Sequence, residues 1–383
     1  MVIFWDGLVP VGGAFVSRRS WRQFRYRFDE LRLKPLLDYA RYRDTQGGLY
    51  RFIGGFESIT DGHTLWIRGE TLTIPVALAG AHTYVLPMPE DEALPESFDP
   101  GEEVPEQIRW DRVSLLTEGA RVFVGGALVR QDDRWIFVST KEHPLLVIFY
   151  DGNDRSLTIR AIRAGRHKNE YWNSLTPYAI VAGAFSQIIM AISFLSRPAF
   201  RLTVITAFIA LFIPLFPVIP PGVLCTVLYR RLWWQARIFR AYRDLARLPL
   251  IYMPKDRMSP GTWYCRLPDG EPYGAVSYAA LPEAALEQQI PLLIPEKQGR
   301  KKQGWYIFGS IPEGTSVSAP AGALPQEPQD PFATFGAIPG NPEQLARGYT
   351  IKAYILEIIS GLFLLAGIGI NIFFIGIIVA VLL

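Results

Sequence analysis

Four histidines are the residues of this chain best suited to proton transfer or metal binding. They are His63, His82, His143 and His167. A helical zinc site needs histidines one turn apart, and no two of these have that spacing. The sequence therefore predicts no metal site, and only a fold that brings His63, His82 and His143 together would create one.

Cysteines and glycines supply no catalytic motif either. Cys225 lies in an apolar stretch and Cys265 in a polar one, so a disulfide between them is not expected. The sequence contains no phosphate-binding loop, nucleophile elbow or HExxH helix. Gly367 and Gly369 lie in an apolar stretch and favour helix packing over dinucleotide binding. The catalytic residues are therefore unknown, no cofactor is predicted, and the balance favours a protein that is not an enzyme.

Three long stretches without any charged residue dominate the sequence. They run from 171 to 196, from 202 to 229 and from 358 to 383. A helix needs about 20 apolar residues to cross roughly 30 Å of hydrocarbon. The stretches therefore predict a transmembrane helical hairpin over 171–229 and a C-terminal transmembrane helix over 354–383.

Prolines interrupt the second half of the hairpin. They are Pro214, Pro217, Pro220 and Pro221. Each removes a backbone donor and clashes with the preceding turn, so an unbroken helix is not expected there. Two interpretations stay open, a kinked span over 202–229 and a re-entrant segment.

Two amides lie near the middle of the predicted spans. Gln187 is in the first span and Asn371 in the last. Polar groups in hydrocarbon need partners. One interpretation is a hydrogen bond between the two amides, and the other is that each bonds its own helix or the backbone that the prolines free.

Arginines and aromatic residues alternate in two segments. Residues 1–47 predict an interfacial basic amphipathic segment, with insertion of residues 1–16 left open, and residues 230–248 predict a juxtamembrane helix. Because the net charge is only +3, we expect anionic membrane lipid rather than nucleic acid as the partner. The predicted headgroup contacts are Arg18, Arg19, Arg22, Arg230, Arg231, Trp233, Trp234, Arg237, Arg240 and Arg243.

Short runs rich in β-branched and aromatic residues predict two small antiparallel β-rich modules. Module 1 covers 48–165 with an acidic loop at 90–106, and module 2 covers 249–317. A Pro-rich linker follows at 318–346. Ten cationic residues flank the hairpin and two lie in its connection, so both modules are expected on the cytoplasmic face. The predicted fold class is thus an α+β membrane protein.

One part of the chain resembles a known family. The runs that carry the resemblance are Glu118–Leu128, Arg134–Phe137 and Leu145–Ile148, with the apolar stretch that follows. Together, over residues 118–195, they resemble the membrane-adjacent β-module of the GIDE or beside-a-membrane type, found in membrane-anchored ubiquitin ligases. The clustered Cys and His of a RING are missing downstream, so the resemblance implies a membrane-tethered recognition module without ligase activity.

The leading hypothesis is a multi-pass protein of the cell (cytoplasmic) membrane that acts as a scaffold, assembly or regulatory module. Its expected partners are anionic lipid and either another protein or a second copy of the chain. Two alternatives stay open. One is a membrane-associated enzyme with a site between the two modules, and the other is a channel or transporter subunit.

Overall fold

The chain forms two compact units. The computed structural model describes residues 3–86, 105–109, 112–113, 119–166, 173–212, 219–251, 263–266, 272–281, 290–295, 304–309 and 336–382. The first unit comprises Met1–Arg22, Gly165–Ala241 and Gly348–Leu383, and the second comprises Gln23–Ala164 and Tyr242–Arg347. Most of the predicted acidic loop, His167 and much of the predicted linker lie outside the described residues.

Module 1 is an eight-stranded sheet in the second unit. Its strands are β1 (Gly48–Thr60), β2 (Thr64–Arg68), β3 (Thr73–Ala77), β4 (His82–Leu86), β5 (Glu106–Ile108), β6 (Arg121–Gln131), β7 (Arg134–Val138) and β8 (Leu146–Tyr150). The strand order is β1-β2-β3-β7-β6-β8-β4-β5, and β1 also pairs with β6. That extra pairing closes β1, β2, β3, β7 and β6 into a ring, so the sheet is barrel-like.

Turn residues fix the register of the hairpins. Asp61 and Gly62 have φ of 54° and 67° between β1 and β2, and Asp132 and Asp133 have φ of 48° and 63° between β6 and β7. Positive φ at both central residues is typical of the turns that suit the twist of a hairpin. Antiparallel pairing beside the first two turns confirms the hairpins that their turn residues predict, whereas Asp151–Gly152, a further hairpin signal in the sequence, connects β8 to a helix. The expectation of a purely antiparallel sheet is wrong, because β3–β7 and β4–β8 are parallel pairs.

The barrel is filled by alternate residues of its strands. On β6, Val122 and Val124 join the barrel core, and on β8 Val147 and Phe149 do the same. The residues between them are also buried; Phe123, for example, is 0% exposed. Because strand side chains alternate between faces, burial of both faces requires a cover on the outside of the barrel.

A helix that precedes the barrel in the chain supplies part of this cover. Helix α1 (Val9–Leu31) follows a π-helical turn at Ile3–Leu8 and extends through the predicted interfacial segment. The ring of Phe28 lies 5.5 Å from that of Phe123, and the ring of Phe24 lies 4.3 Å from that of Tyr84. Phe24 and Phe28 of the predicted amphipathic segment therefore pack on the sheet.

Two short helices complete module 1. They are α2 (Tyr39–Asp44), capped by Asp38, and α3 (Asp154–Arg163), capped by Asn153. Arg160 of α3 is 6% exposed, and its guanidinium donates to the carbonyls of Asp151 and Leu86. This arginine ties α3 to the end of β4 and is therefore not a surface charge.

Module 2 is a four-stranded antiparallel sheet in the same unit. Its strands are β9 (Trp263–Arg266), β10 (Pro272–Tyr278), β11 (Trp305–Gly309) and β12 (Gly336–Pro339), in the order β12-β11-β10-β9. The predicted linker at 318–346 therefore includes a strand. Ile338 of β12 pairs with Tyr306 and is 0% exposed, which explains why an apolar run among prolines is part of the sheet.

The first unit is helical. Helices α4 (Thr176–Leu195) and α5 (Arg201–Ala210) form the predicted hairpin, with Ala191 against Val204 and Ala207. The next helix, α6 (Val223–Arg247), begins after the Pro220–Pro221 bond, so the predicted proline interruption of this span is confirmed. The predicted boundary at 229/230 is wrong, because α6 runs without a break from the apolar stretch into the basic segment.

The final helix, α7 (Pro342–Leu382), is longer than predicted and begins inside the predicted linker. Within the described residues, two helices are long and apolar enough to cross a membrane, by length and composition: Thr176–Leu195 and Pro342–Ile378. Only 22% of the first apolar window and 11% of the second are buried. Both helices therefore expose most of their apolar side chains.

Candidate functional site

Helices α6 and α7 form an antiparallel pair within the first unit. Gly222, just before α6, meets Asn371, whereas Arg240 meets Glu357 farther along. Residue numbers rise along one helix as they fall along the other. The pair therefore aligns the basic, aromatic half of α6 with the beginning of the charge-free part of α7.

Glu357 is the centre of a charged cluster on this pair. Arg240 binds it with both arms of its guanidinium, Nε to Oε1 at 3.0 Å and Nη2 to Oε2 at 2.7 Å. Arg237 Nη2 lies 3.3 Å from Oε1. The side chains of Arg237, Arg240 and Glu357 are 9%, 11% and 18% exposed. Bidentate contact in partial burial is the stronger class of ion pair.

Aromatic rings cover the two arginines. The Arg237 guanidinium carbon lies 3.9 Å from the ring centre of Trp233, and that of Arg240 lies 4.4 Å from the ring centre of Tyr354. Such contacts attract a cation to the ring face. The rings hold both guanidiniums in place and keep much of the surrounding water away.

Further arginines act on this cluster through their charge. Burial lowers the pKa of Arg237 to about 10; Glu357 opposes this effect, while Arg18, Arg240 and then Arg166 add to it. Burial also lowers the pKa of Arg18. Among the described residues around Arg237, positive charge therefore outweighs the carboxylate of Glu357.

This arrangement is chemically suited to bind an anion. The carboxylate of Glu357 is held by Arg240 and is not available as a base. Guanidinium groups present several planar donors that match phosphate and carboxylate oxygens. The cluster therefore combines fixed donors with excess positive charge.

The chain matches no known family model, no curated protein and no solved structure. The site must therefore be interpreted from its own geometry.

The structure divides the predicted headgroup contacts into three groups. The exposed residues are Arg19, Arg22, Arg230 and Arg231, and the half-buried ones are Arg18, Trp233 and Trp234. Arg237 and Arg240 are buried against Glu357, and headgroup contact by these two residues stays a prediction. Arg243 also has an acidic neighbour, since its Nε donates to Asp244 Oδ1 at 2.6 Å.

Sequence reasoning noted Glu357 but assigned it no role. The signal was present, because a carboxylate directly before 26 uncharged residues is costly unless it has a partner. Its partners lie more than 100 residues away in the chain. The spacing of residues in the sequence could therefore not show that Glu357 contacts these arginines.

The two predicted intramembrane amides have different surroundings. The Gly222 N–H donates to Asn371 Oδ1 at 3.0 Å, and Asn371 Nδ2 donates to the Ile219 carbonyl at 2.9 Å. Of the two interpretations, the bond to backbone freed by the prolines is the one observed for Asn371. Gln187 is 2% exposed, and its amide makes no hydrogen bond within the described residues.

Glycines allow this close approach of α6 and α7. A Cβ on Gly222 would lie 2.5 Å from the Gly367 carbonyl oxygen, and a Cβ on Gly367 would lie 2.9 Å from Cys225 Cβ. The predicted packing role is confirmed for Gly367. No such contact lies within 4 Å of a Cβ on Gly369.

We expect Asn371→Leu to destabilise the protein by about 2–4 kcal/mol, because the Gly222 N–H and the Ile219 carbonyl would lose their buried partner. Thermal unfolding in detergent would measure the change. Phe373→Leu, at a side chain that is 66% exposed, is the matched control and should change little. An equal loss in both variants would contradict a specific role for the amide.

The histidines form no metal centre in the part of the chain that the structure describes. No group of three or more His, Cys, Asp or Glu side chains there is arranged to hold a metal ion. His63 lies in the β1–β2 turn, His82 begins β4, and His143 lies in the β7–β8 connection. Burial lowers the pKa of His82, and the charge of Arg27 adds to the effect.

Proposed function

We propose that the chain is a multi-pass membrane protein that holds two small β-rich modules at the cytoplasmic face and acts as a scaffold, assembly or regulatory module. The observation that carries the proposal is the apolar surface of α4 and α7. On α4 alone, Phe185, Ile189 and Ile192 are 63%, 63% and 67% exposed. Apolar surface of this extent marks a binding or membrane surface.

The exposed apolar side chains of α7 extend along the whole charge-free part of the helix. They include Ile358, Leu362, Leu365, Ile372, Phe373, Phe374 and Ile378. A helix rises 1.5 Å per residue, so the 20 residues of α4 already span about 30 Å. Both lengths match the hydrocarbon core of a bilayer.

Between α4 and α7 in the sequence, the chain would cross the membrane in two helical pieces, α5 and the beginning of α6. Helix α5 has 10 residues and therefore rises only about 15 Å. The first turns of α6 would complete the crossing, and Asn371 satisfies the backbone groups at its start. Irregular backbone at membrane depth is tolerated when it is buried in protein, as these groups are.

Charge distribution supports the orientation. Arg197 and Arg201 are the only charged residues of the α4–α5 connection, whereas arginines are frequent on both sides of the hairpin. Short loops that are rich in Lys and Arg stay on the cytoplasmic side of the membrane. Both β-rich modules would then lie in the cytoplasm, and exposed Arg230 and Arg231 would contact anionic headgroups.

We propose that the barrel of module 1 binds a partner. Its resemblance to the GIDE-type β-module supports a recognition role beside the membrane, without the ligase chemistry of that family. The partner would be another protein or a second copy of the chain.

Membrane insertion and orientation can be tested together. We expect the protein to stay in the membrane fraction at alkaline pH and to be released only by detergent. In a variant with Cys225 and Cys265 replaced by serine, Ala199→Cys should react with an impermeant maleimide on intact cells. Asp132→Cys, in the β6–β7 turn, should react only after lysis. Release without detergent would contradict insertion, and the opposite labelling pattern would contradict the orientation.

A further inference from the structure

One charged cluster in the first unit lacks sufficient negative charge. Arg237, Arg240 and Arg18 act on one another electrostatically around Glu357, and Arg22 acts on Arg18. Four guanidiniums thus surround one carboxylate within this cluster of described residues. An arrangement of this kind is stabilised by any anion that enters it.

Arg237 is the least compensated member. Arg240 occupies both oxygens of Glu357, which leaves Arg237 with one contact at 3.3 Å. Its Nε is buried and has no hydrogen-bond partner within the described residues, although the side chain is only 9% exposed. A buried charged donor without a partner is costly, so Nε identifies where an acceptor belongs.

Two arginines of α1 extend the cluster toward solvent. Arg18 and Arg22 are one helical turn apart and therefore lie on the same side of α1. Neither forms an ion pair within 4.0 Å with another described residue. Arg18 is half-buried and Arg22 is exposed, so the cluster is open to a ligand on this side.

The depth of the cluster agrees with a lipid headgroup. Glu357 directly precedes the charge-free run 358–383, so in a bilayer it would lie at the level of the phosphates. Tyr354 and Trp233 would lie at the same level, where aromatic rings are common. This step rests on the proposed membrane insertion.

We propose that Arg18, Arg22, Arg237 and Arg240 form a specific site for the phosphomonoester headgroup of an anionic lipid. A phosphomonoester carries about −1.5 to −2 charges near neutral pH and three acceptor oxygens. It therefore neutralises the excess arginines better than a phosphodiester with one charge. The unpaired Nε of Arg237 and the guanidiniums of Arg18 and Arg22 can donate charge-assisted hydrogen bonds to the oxygens of one phosphate, while Arg240 stays bound to Glu357 and adds its charge.

The test measures binding of short-chain lipids to the full chain in detergent. The probes are dioctanoyl phosphatidate, dioctanoyl phosphatidylglycerol and inorganic phosphate. We expect one molecule of phosphatidate to bind per chain, at least about tenfold more tightly than either other probe. Phosphatidylglycerol loses charge-assisted hydrogen bonds of the monoester, and inorganic phosphate lacks the acyl chains that bury apolar surface.

Two double variants are compared, and each removes two positive charges. Arg18→Gln with Arg237→Gln should weaken phosphatidate binding about tenfold or more, whereas Arg130→Gln with Arg134→Gln, both exposed on module 1, should change it less than about twofold. Arg18→Gln alone removes a half-buried residue and keeps the test informative if the double variant does not fold. Arg237→Lys should also weaken binding, because the charge stays but the planar fork is lost.

Three outcomes would overturn the proposal. Equal losses in the two double variants would indicate diffuse attraction to anionic surfaces. Equal affinity for inorganic phosphate would indicate a soluble ligand, and equal affinity for phosphatidylglycerol would exclude selection of a monoester. None of these outcomes affects membrane insertion, which the alkaline extraction decides separately.

Discussion

Replacing Glu357 with leucine should destabilise the protein by about 3–5 kcal/mol, the usual cost of removing one partner of a buried ion pair. The variant leaves the guanidiniums of Arg237 and Arg240 largely buried without a carboxylate. Thermal or urea unfolding in detergent would measure the loss. The effect should be large because desolvation of these arginines remains after their compensation has been removed.

Two comparisons show whether the loss comes from the charged cluster. Glu343→Gln removes an exposed carboxylate from the first turn of the same helix and should cost at most about 1 kcal/mol. Combining Glu357→Leu with Arg240→Leu should cost much less than the sum of the single changes, because the two side chains are in direct contact. Additive losses would show that Glu357 and Arg240 do not act as a pair.

Phe28→Ala should destabilise module 1 by about 3–5 kcal/mol, which is typical when a buried phenyl ring is removed. Phe28 is 0% exposed, and its ring meets Phe123 of β6 edge to face. Hydrogen exchange of peptides that cover β6 and β8 would report the change as faster opening. Substantial acceleration is expected because α1 covers the outer face of these strands.

The matched control is Tyr26→Ala on the same helix. Tyr26 is 73% exposed, so its removal should change stability by less than about 0.5 kcal/mol. If the aromatic face of α1 were bound to headgroups instead, Phe28→Ala would leave exchange in β6 unchanged and would weaken binding to anionic vesicles. The two variants thus separate packing on the sheet from contact with lipid.

The strands beside the two hairpin turns of module 1 were predictable because their signals are local, whereas β5, which begins at Glu106 in the predicted acidic loop, was not. The turns Asp61–Gly62 and Asp132–Asp133 specify their own backbone, and the residues beside them alternate or form short apolar runs. The ring closure between β1 and β6 was not predictable. Those strands are separated by many residues, and their pairing depends on barrel geometry rather than on any turn.

Helix α1 has an apolar face whose contacts could not be predicted from the sequence. Its alternation of arginines with aromatic residues fits a helix on a lipid surface and a helix on a sheet equally well. Only the position of Phe123 and Tyr84 decides between them for Phe24 and Phe28. The sequence gives the existence of an apolar face but not what covers it.

The residue types of the candidate site could be predicted from the sequence, but the contacts between them could not. The arginines of α6 were identified as a basic segment, yet the burial of Arg237 and Arg240 depends on Glu357 of a helix far downstream. The same holds for Asn371, whose partners are backbone groups of Ile219 and Gly222. Sequence patterns reveal that such groups need partners, while the fold selects them.

The downstream position of α7 has a consequence for how the chain is made. In the proposed membrane topology, helix α6 leaves the ribosome well before α7, so its guanidiniums and the backbone at Gly222 would have to stay hydrated until Glu357 and Asn371 have been synthesised. Stable insertion of α6 would then have to wait for α7, and a nascent chain that stops before Glu357 would present uncompensated charge to lipid. Such a product is the kind that cellular quality control degrades.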